Sequence, residues 1–86
     1  MDSDKFVPVK GLKRFLTKKG KLLEKNLFIL PSGEVVRYFD YGRIEVTTDG
    51  LRWKIFGVTI GPLWLKDNVV YLQTPYNEYV YLFRIK

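Results

Sequence analysis

Six short breaks interrupt this chain at hairpin spacing, and each ends in Gly or Asn. They are Lys18-Lys19-Gly20, Pro31-Ser32-Gly33, Asp40-Tyr41-Gly42, Thr48-Asp49-Gly50, Lys66-Asp67-Asn68 and Pro75-Tyr76-Asn77. Gly and Asn tolerate the positive φ that a tight β-hairpin loop needs at its last or next-to-last position. Between the breaks lie runs rich in Val, Ile, Leu, Tyr, Phe and Trp, the composition of strands. The pattern predicts an all-β fold, an antiparallel meander of about six to eight short strands rolled into a small barrel or a two-layer sheet.

A chain of 86 residues makes one domain and needs a core dense in large side chains. Two Trp, six Phe and six Tyr supply it, and there is no Cys to add a disulfide or a thiolate zinc site. Residues 1–9 are expected to be loosely ordered and residues 10–86 to form a single β domain. The start of the sequence has no apolar run of the kind a secretory signal carries. The longest apolar stretch, Leu27-Phe28-Ile29-Leu30, is far too short to span a bilayer. A cytoplasmic protein with no membrane association is the expectation.

The net charge of +6 is confined to one place. Residues 10–25 hold Lys10, Lys13, Arg14, Lys18, Lys19, Lys21 and Lys25 against a single acid, Glu24, while the remainder balances eight bases with eight acids. Two structures compete for this segment. A helix would use Leu12, Phe15, Leu16, Leu22 and Leu23 as its apolar stripe, but Gly20 interrupts it. A hairpin would place Thr17-Lys18-Lys19-Gly20-Lys21 in a turn with Gly left-handed. The hairpin is preferred, because Gly inside a helix costs roughly 1 kcal/mol.

Strand register can be argued from the turns, since a slip of one residue moves every side chain to the other face. A two-residue turn at Asp49-Gly50 sets Val46 opposite Trp53, Glu45 opposite Lys54 and Ile44 opposite Ile55. A two-residue turn at Tyr41-Gly42 sets Phe39 opposite Ile44 and Arg37 opposite Val46. The wet face of these hairpins then carries Glu34, Val36, Tyr38, Arg43, Glu45, Thr47, Arg52 and Lys54. Farther along, turns at Asp67-Asn68 and Tyr76-Asn77 pair Leu65 with Val70, Leu63 with Leu72, Trp64 with Tyr71, Leu72 with Tyr81 and Val70 with Phe83. This half is apolar on both sides, with Trp64, Tyr71, Val80 and Leu82 on the second face, and that face calls for a cover. The basic segment, the wall of a closed barrel or an oligomer partner could each provide it. Gly57 and Gly61-Pro62 break a long strand, as expected where a strand turns a corner between sheets.

Little chemistry is on offer. Without His or Cys, and with Ser3 and Ser32 as the only serines, the usual nucleophile-and-base triads cannot be assembled. Ser32 between Pro31 and Gly33 reads as a turn hydroxyl serving the backbone. Asp40, Glu45 and Asp49 read as turn formers and surface ion pairs rather than paired catalytic carboxylates. Phosphate-loop, dinucleotide, calcium and zinc spacings are missing. A non-enzymatic protein without metal, cofactor or small-molecule substrate is expected.

Two functions remain. The first is a basic β module contacting nucleic-acid phosphate through Lys10, Lys13, Arg14, Lys18, Lys19 and Lys21, with Tyr38, Arg43, Arg52 and Lys54 on the hairpin face adding a ring and further cations. The second is a protein-interaction or homo-oligomeric module, such as a viral or plasmid accessory factor. It would use the face of Trp64, Tyr71, Val80 and Leu82 and an edge strand from Tyr79 onward.

Overall fold

The computed structural model describes residues 5–57 and 61–86. Strand β1 (Val7–Val9) leads into helix α1 (Leu12–Lys19), and then follow β2 (Lys21–Glu24), β3 (Leu27–Ile29), β4 (Val35–Tyr38), β5 (Ile44–Thr47), β6 (Lys54–Phe56), β7 (Leu63–Lys66), β8 (Val69–Gln73) and β9 (Tyr79–Arg84). All neighbouring strands run antiparallel. They form a five-stranded sheet in the order β2-β3-β4-β5-β6 and a four-stranded sheet in the order β1-β7-β8-β9. Of the two expected shapes, the two-layer one is correct; neither sheet closes into a barrel. The Cα radius of gyration is 12.3 Å, close to the ~12 Å of a well-packed chain this long.

The core lies between the sheets. Phe28, Val36, Ile44 and Val46 of the five-stranded sheet meet Val70, Leu82, Phe83 and Ile85 from the other, and all are buried. The chain passes from one sheet to the other between β6 and β7, where the Gly57 and Gly61-Pro62 breaks predict a corner; residues 58–60 themselves lie outside the described residues. Gly61 has φ +124°, and a Cβ there would sit 2.7 Å from the Gln73 carbonyl oxygen. Glycine is required on both counts.

A second tie between the layers comes from the β3–β4 turn. The backbone N–H of Ser32 donates to the Ile85 carbonyl at 2.9 Å, and the Ser32 hydroxyl donates to the Arg84 carbonyl. The hydroxyl serves the backbone of its own turn, accepting from the Glu34 N–H at 3.3 Å, and that of a strand fifty-two residues away. Glu34 is 8% exposed and accepts from the Arg84 N–H at 2.9 Å and from the Tyr81 hydroxyl at 2.7 Å. A carboxylate this buried is tolerated because both its oxygens are hydrogen-bonded.

Residues 10–25 are not the expected hairpin. They form α1 followed by β2, and the turn sits later, at Lys25-Asn26, where Asn26 has φ 63°. Leu12 and Leu16, four apart on one helix face, are buried in the inter-sheet core, and that burial outweighs the weak local preference for a loop. Gly20 ends the helix at φ −111°, its N–H donating to the Leu16 carbonyl at 2.8 Å. Its glycine is explained by crowding, since a Cβ would meet the Ile29 carbonyl oxygen at 2.9 Å and Leu30 at 3.0 Å.

The other five breaks do connect strands. Asp67 and Asn68 have φ 52° and 65°, the two-residue turn in which both central residues are left-handed. The Leu63–Leu72, Trp64–Tyr71 and Leu65–Val70 pairs follow as expected. The two central hairpins depart from expectation by one residue each. Asp40–Gly42 forms a single 3-10 turn closed by the Phe39 N–H on the Arg43 carbonyl at 2.8 Å, so the loop has three residues instead of two. Arg37 therefore stands opposite Glu45, and Val36 opposite Val46. At the next loop the Asp49 carboxylate accepts from the N–H groups of Leu51 (2.8 Å) and Arg52 (2.9 Å), while Thr47 Oγ1 accepts from the Gly50 N–H. This side-chain-built loop holds residues 48–53 out of the ladder, and Val46 pairs with Lys54 and Glu45 with Ile55.

Candidate nucleic-acid interface

Helix α1 presents its cations because its apolar positions are spoken for. With Leu12 and Leu16 turned into the core, Lys13, Arg14, Lys18 and Lys19 project from the solvent side. Lys10 precedes the helix, and Lys21 and Lys25 follow it along and after β2; all seven are exposed. The helix contains no acidic residue, and Lys18 and Lys19 occupy its last turn, where cations complement the carbonyl end of the helix dipole. Among the described residues none of the seven takes part in an ion pair. Glu24 is the one acid on the segment, on the exposed strand β2.

Two cations of the central hairpins, Arg37 and Arg43, are in a different condition. Arg37 Nη1 lies 3.1 Å from Glu45 Oε1, and Arg43 Nη2 lies 3.6 Å from Glu45 Oε2. Arg37 also lies over the Trp53 ring at 4.3 Å, and Arg43 over Phe39 at 5.0 Å. Glu45 is thereby sheltered to 9% exposure on the outer side of its sheet. Tyr38 packs against the core beside Ile44, opposite in the register, and not on the wet face expected for it. The shared surface of Tyr38, Arg43, Arg52 and Lys54 therefore does not form, because the three-residue turn at Asp40–Gly42 reverses the alternation of β4. Val36, from the same expected face, is fully buried, and Glu34 and Thr47 are buried too.

Arg52 and Lys54 are exposed and line a cleft of about 520 Å³ with Val46, Thr48, Tyr81 and Leu82. Glu34 and Asp49 also line it, but both carboxylates are engaged by hydrogen bonds within the fold. The N–H groups of Arg52 and Leu51 hold the Asp49 carboxyl below its ordinary value. Burial, helped by the hydrogen bond to Glu34, raises the Tyr81 hydroxyl to about 12. Among the described residues no group of three or more His, Cys, Asp or Glu side chains is placed to hold a metal ion.

The outer face of the four-stranded sheet holds the rings that the hairpin face lacks. Trp64 and Tyr71 stand side by side there, as the register predicts. Val80 and Leu82 do not join them. The register slips between Val70 and Tyr71, so that Val70 pairs with Phe83 while Tyr71 pairs with Tyr81 and Leu72 with Val80. The bulge at Leu82 sends that residue into the core at 0% exposure and leaves Val80 across from Leu72 on the inner alternation. Tyr79 and Tyr81 take the outer positions instead, 45% and 41% exposed.

Phe6 joins this group. Its ring stacks on Tyr79 at 4.7 Å with planes 11° apart and meets Trp64 and Tyr71 edge-on at 6.3 and 5.9 Å. Trp64 Nε1 donates to Gln73 Oε1 at 2.8 Å. The second apolar face is thus covered neither by the basic segment nor by a barrel wall, since Leu12 and Leu16 join the inter-sheet core and the sheets remain open. Sequence reasoning missed Tyr79 and Tyr81 because it expects a two-residue turn at Tyr76-Asn77. Instead the Thr74 N–H closes the loop on the Glu78 carbonyl at 2.8 Å with Pro75, Tyr76 and Asn77 between them, and the bulge at Leu82 then restores the Val70–Phe83 pair. It missed Phe6 because residues 1–9 are expected to be loosely ordered.

No family model, curated protein or solved structure matches this chain. Among the described residues no helix is long and apolar enough to cross a membrane.

Proposed function

We propose that this chain is a non-enzymatic nucleic-acid-contacting module that holds backbone phosphate through the cations of residues 10–25 and acts inside the cell. The supporting observation is the contrast between two sets of bases. Arg37 and Arg43 are tied to Glu45, whereas all seven cations of the α1–β2 segment face solvent without an ion-pair partner among the described residues. An exposed, uncompensated cation gains from meeting a phosphate because each contact releases condensed counterions. A cation already satisfied by a carboxylate gains much less. Concentrating the entire +6 on one segment also gives the molecule a directional field that steers a polyanion toward it.

The test is a pair of variants. Changing Lys13, Arg14, Lys18 and Lys19 together to Gln removes four exposed charges and no buried contact, so the fold is retained and binding to a DNA oligonucleotide at low salt weakens at least tenfold. Arg43→Gln, which removes a cation held by Glu45, leaves binding within about twofold. Equal effects from the two variants contradict the proposal.

A second reading has its own support in β9, an edge strand with Tyr79, Val80 and Tyr81 all exposed. Unpaired strand edges lined with apolar side chains are sites for pairing with another chain. Light scattering at rising concentration separates the two: self-association that Val80→Lys abolishes favours the edge, and a constant monomer mass argues against it.

A further inference from the structure

Resting on the proposed phosphate contact, we infer that the nucleic acid is single-stranded and that its bases stack on the outer aromatic face of the β1-β7-β8-β9 sheet. That face gathers five rings, Phe6, Trp64, Tyr71, Tyr79 and Tyr81, within a linked set of stacked and edge-on contacts. Two cations share it. Lys66 follows Trp64 by two residues and lies over the Phe6 ring at 4.9 Å, and exposed Arg84 pairs with Val69 on the outer alternation. Lys54, from the other sheet, reaches to 5.9 Å from the Tyr81 ring.

Among the described residues, the strand register places no carboxylate on this face. Of the described acids around it, Glu34 is buried and receives the Tyr81 hydroxyl, while Asp67 and Glu78 lie in the turns that bound β7–β8 and β9, outside the strands. Rings with neighbouring cations complement a polyanion that carries flat, unpaired bases. A duplex hides its bases in a stack, and a purely apolar protein partner has no use for the cations. Phe6 already lies flat against Tyr79 at 4.7 Å, so a base would stack on the ring surface that Phe6 leaves exposed.

Chain connectivity links the two parts of the surface. Strand β1 is the edge of the aromatic sheet, with Pro8 opposite Trp64, and only Lys10 and Gly11 separate it from α1. The cationic helix therefore begins at the margin of the ring-bearing face, where a strand lying across the rings would continue onto the lysines.

The experiment compares one mixed-sequence DNA oligonucleotide as a single strand and as a duplex of equal length, using wild type, Tyr79→Ala, Tyr79→Phe and the four-cation variant. A 2-aminopurine in the strand reports stacking by its quenching. The expected result is tighter binding of the single strand, weakened about fivefold or more by Tyr79→Ala, with quenching lost, the salt slope unchanged and duplex binding unaffected. Tyr79→Phe, which keeps the ring, behaves as wild type. Preference for the duplex, or a Tyr79→Ala variant that binds the single strand as wild type does, overturns the stacking inference while leaving the phosphate contact standing. Conversion of a dimer to a monomer by Tyr79→Ala also overturns it and assigns the face to self-association. Absence of binding to either form at low salt removes the phosphate contact and the stacking inference together.

Discussion

Glu34 and Tyr81 carry much of the chemistry that holds the two layers together. One carboxylate oxygen takes the β9 backbone at Arg84 and the other takes the Tyr81 hydroxyl. Glu34→Ala leaves the part-buried Arg84 N–H without its acceptor and frees the Tyr81 hydroxyl. A loss of about 1–3 kcal/mol in denaturant unfolding is expected. The Tyr81 hydroxyl itself is raised from 10 to about 12, which fixes the sign of a pH effect. The folded state prefers the protonated tyrosine, so its stabilising contribution is complete below about pH 10 and declines as the pH rises toward 12. Ultraviolet titration of the folded protein is expected to show a late-ionising tyrosinate that Tyr81→Phe removes. Titration of every tyrosine near its ordinary value would contradict the Glu34–Tyr81 contact.

At the scale of elements, Gly20 separates two kinds of glycine. Gly33 and Gly50 have positive φ with open space around them, whereas Gly20 has an ordinary extended backbone with the Ile29 carbonyl pressed against it. Gly20→Ala is therefore expected to cost about 1–3 kcal/mol through overpacking, although Ala suits its backbone angles. Stability equal to wild type would show that the helix end is not crowded. The same residue explains where the sequence was legible. Gly and Asn marked the loops well, because positive φ is a local demand that few residues meet. Five of the six breaks connect strands, and Asp67-Asn68 even yielded the pairs of β7 with β8. What the breaks could not show was why each glycine was there, or how many residues each loop would use. Asp49 captures two backbone N–H groups and lengthens its loop, and the Asp40–Gly42 turn takes one more residue than its Gly suggests. Each shift moved one strand by one residue. That was enough to turn Tyr38 against the core and pair Arg37 with Glu45.

For the whole molecule, the division into a balanced body and one cationic segment was readable from charge alone, and the structure adds why the charge is available. The body neutralises Arg37 and Arg43 with Glu45, while α1 turns two leucines inward and leaves its cations outside. The aromatic face was half legible: Trp64 and Tyr71 follow from a clean two-residue turn, whereas Tyr79 and Tyr81 depend on a three-residue loop at Pro75-Tyr76-Asn77 and the bulge that follows it. The central claim is that phosphate is held by the unpaired cations of residues 10–25. Its most direct measurement is the affinity for a DNA oligonucleotide as a function of salt, for wild type and for the variant with Lys13, Arg14, Lys18 and Lys19 changed to Gln. Each phosphate contact contributes roughly 0.7 to 0.9 to the slope of log K against log salt concentration. The account predicts a steep negative slope for wild type and, with four contacts removed, a slope shallower by about 3 to 3.5 for the variant. An identical slope for the two proteins, or no binding by wild type at low ionic strength, would contradict it.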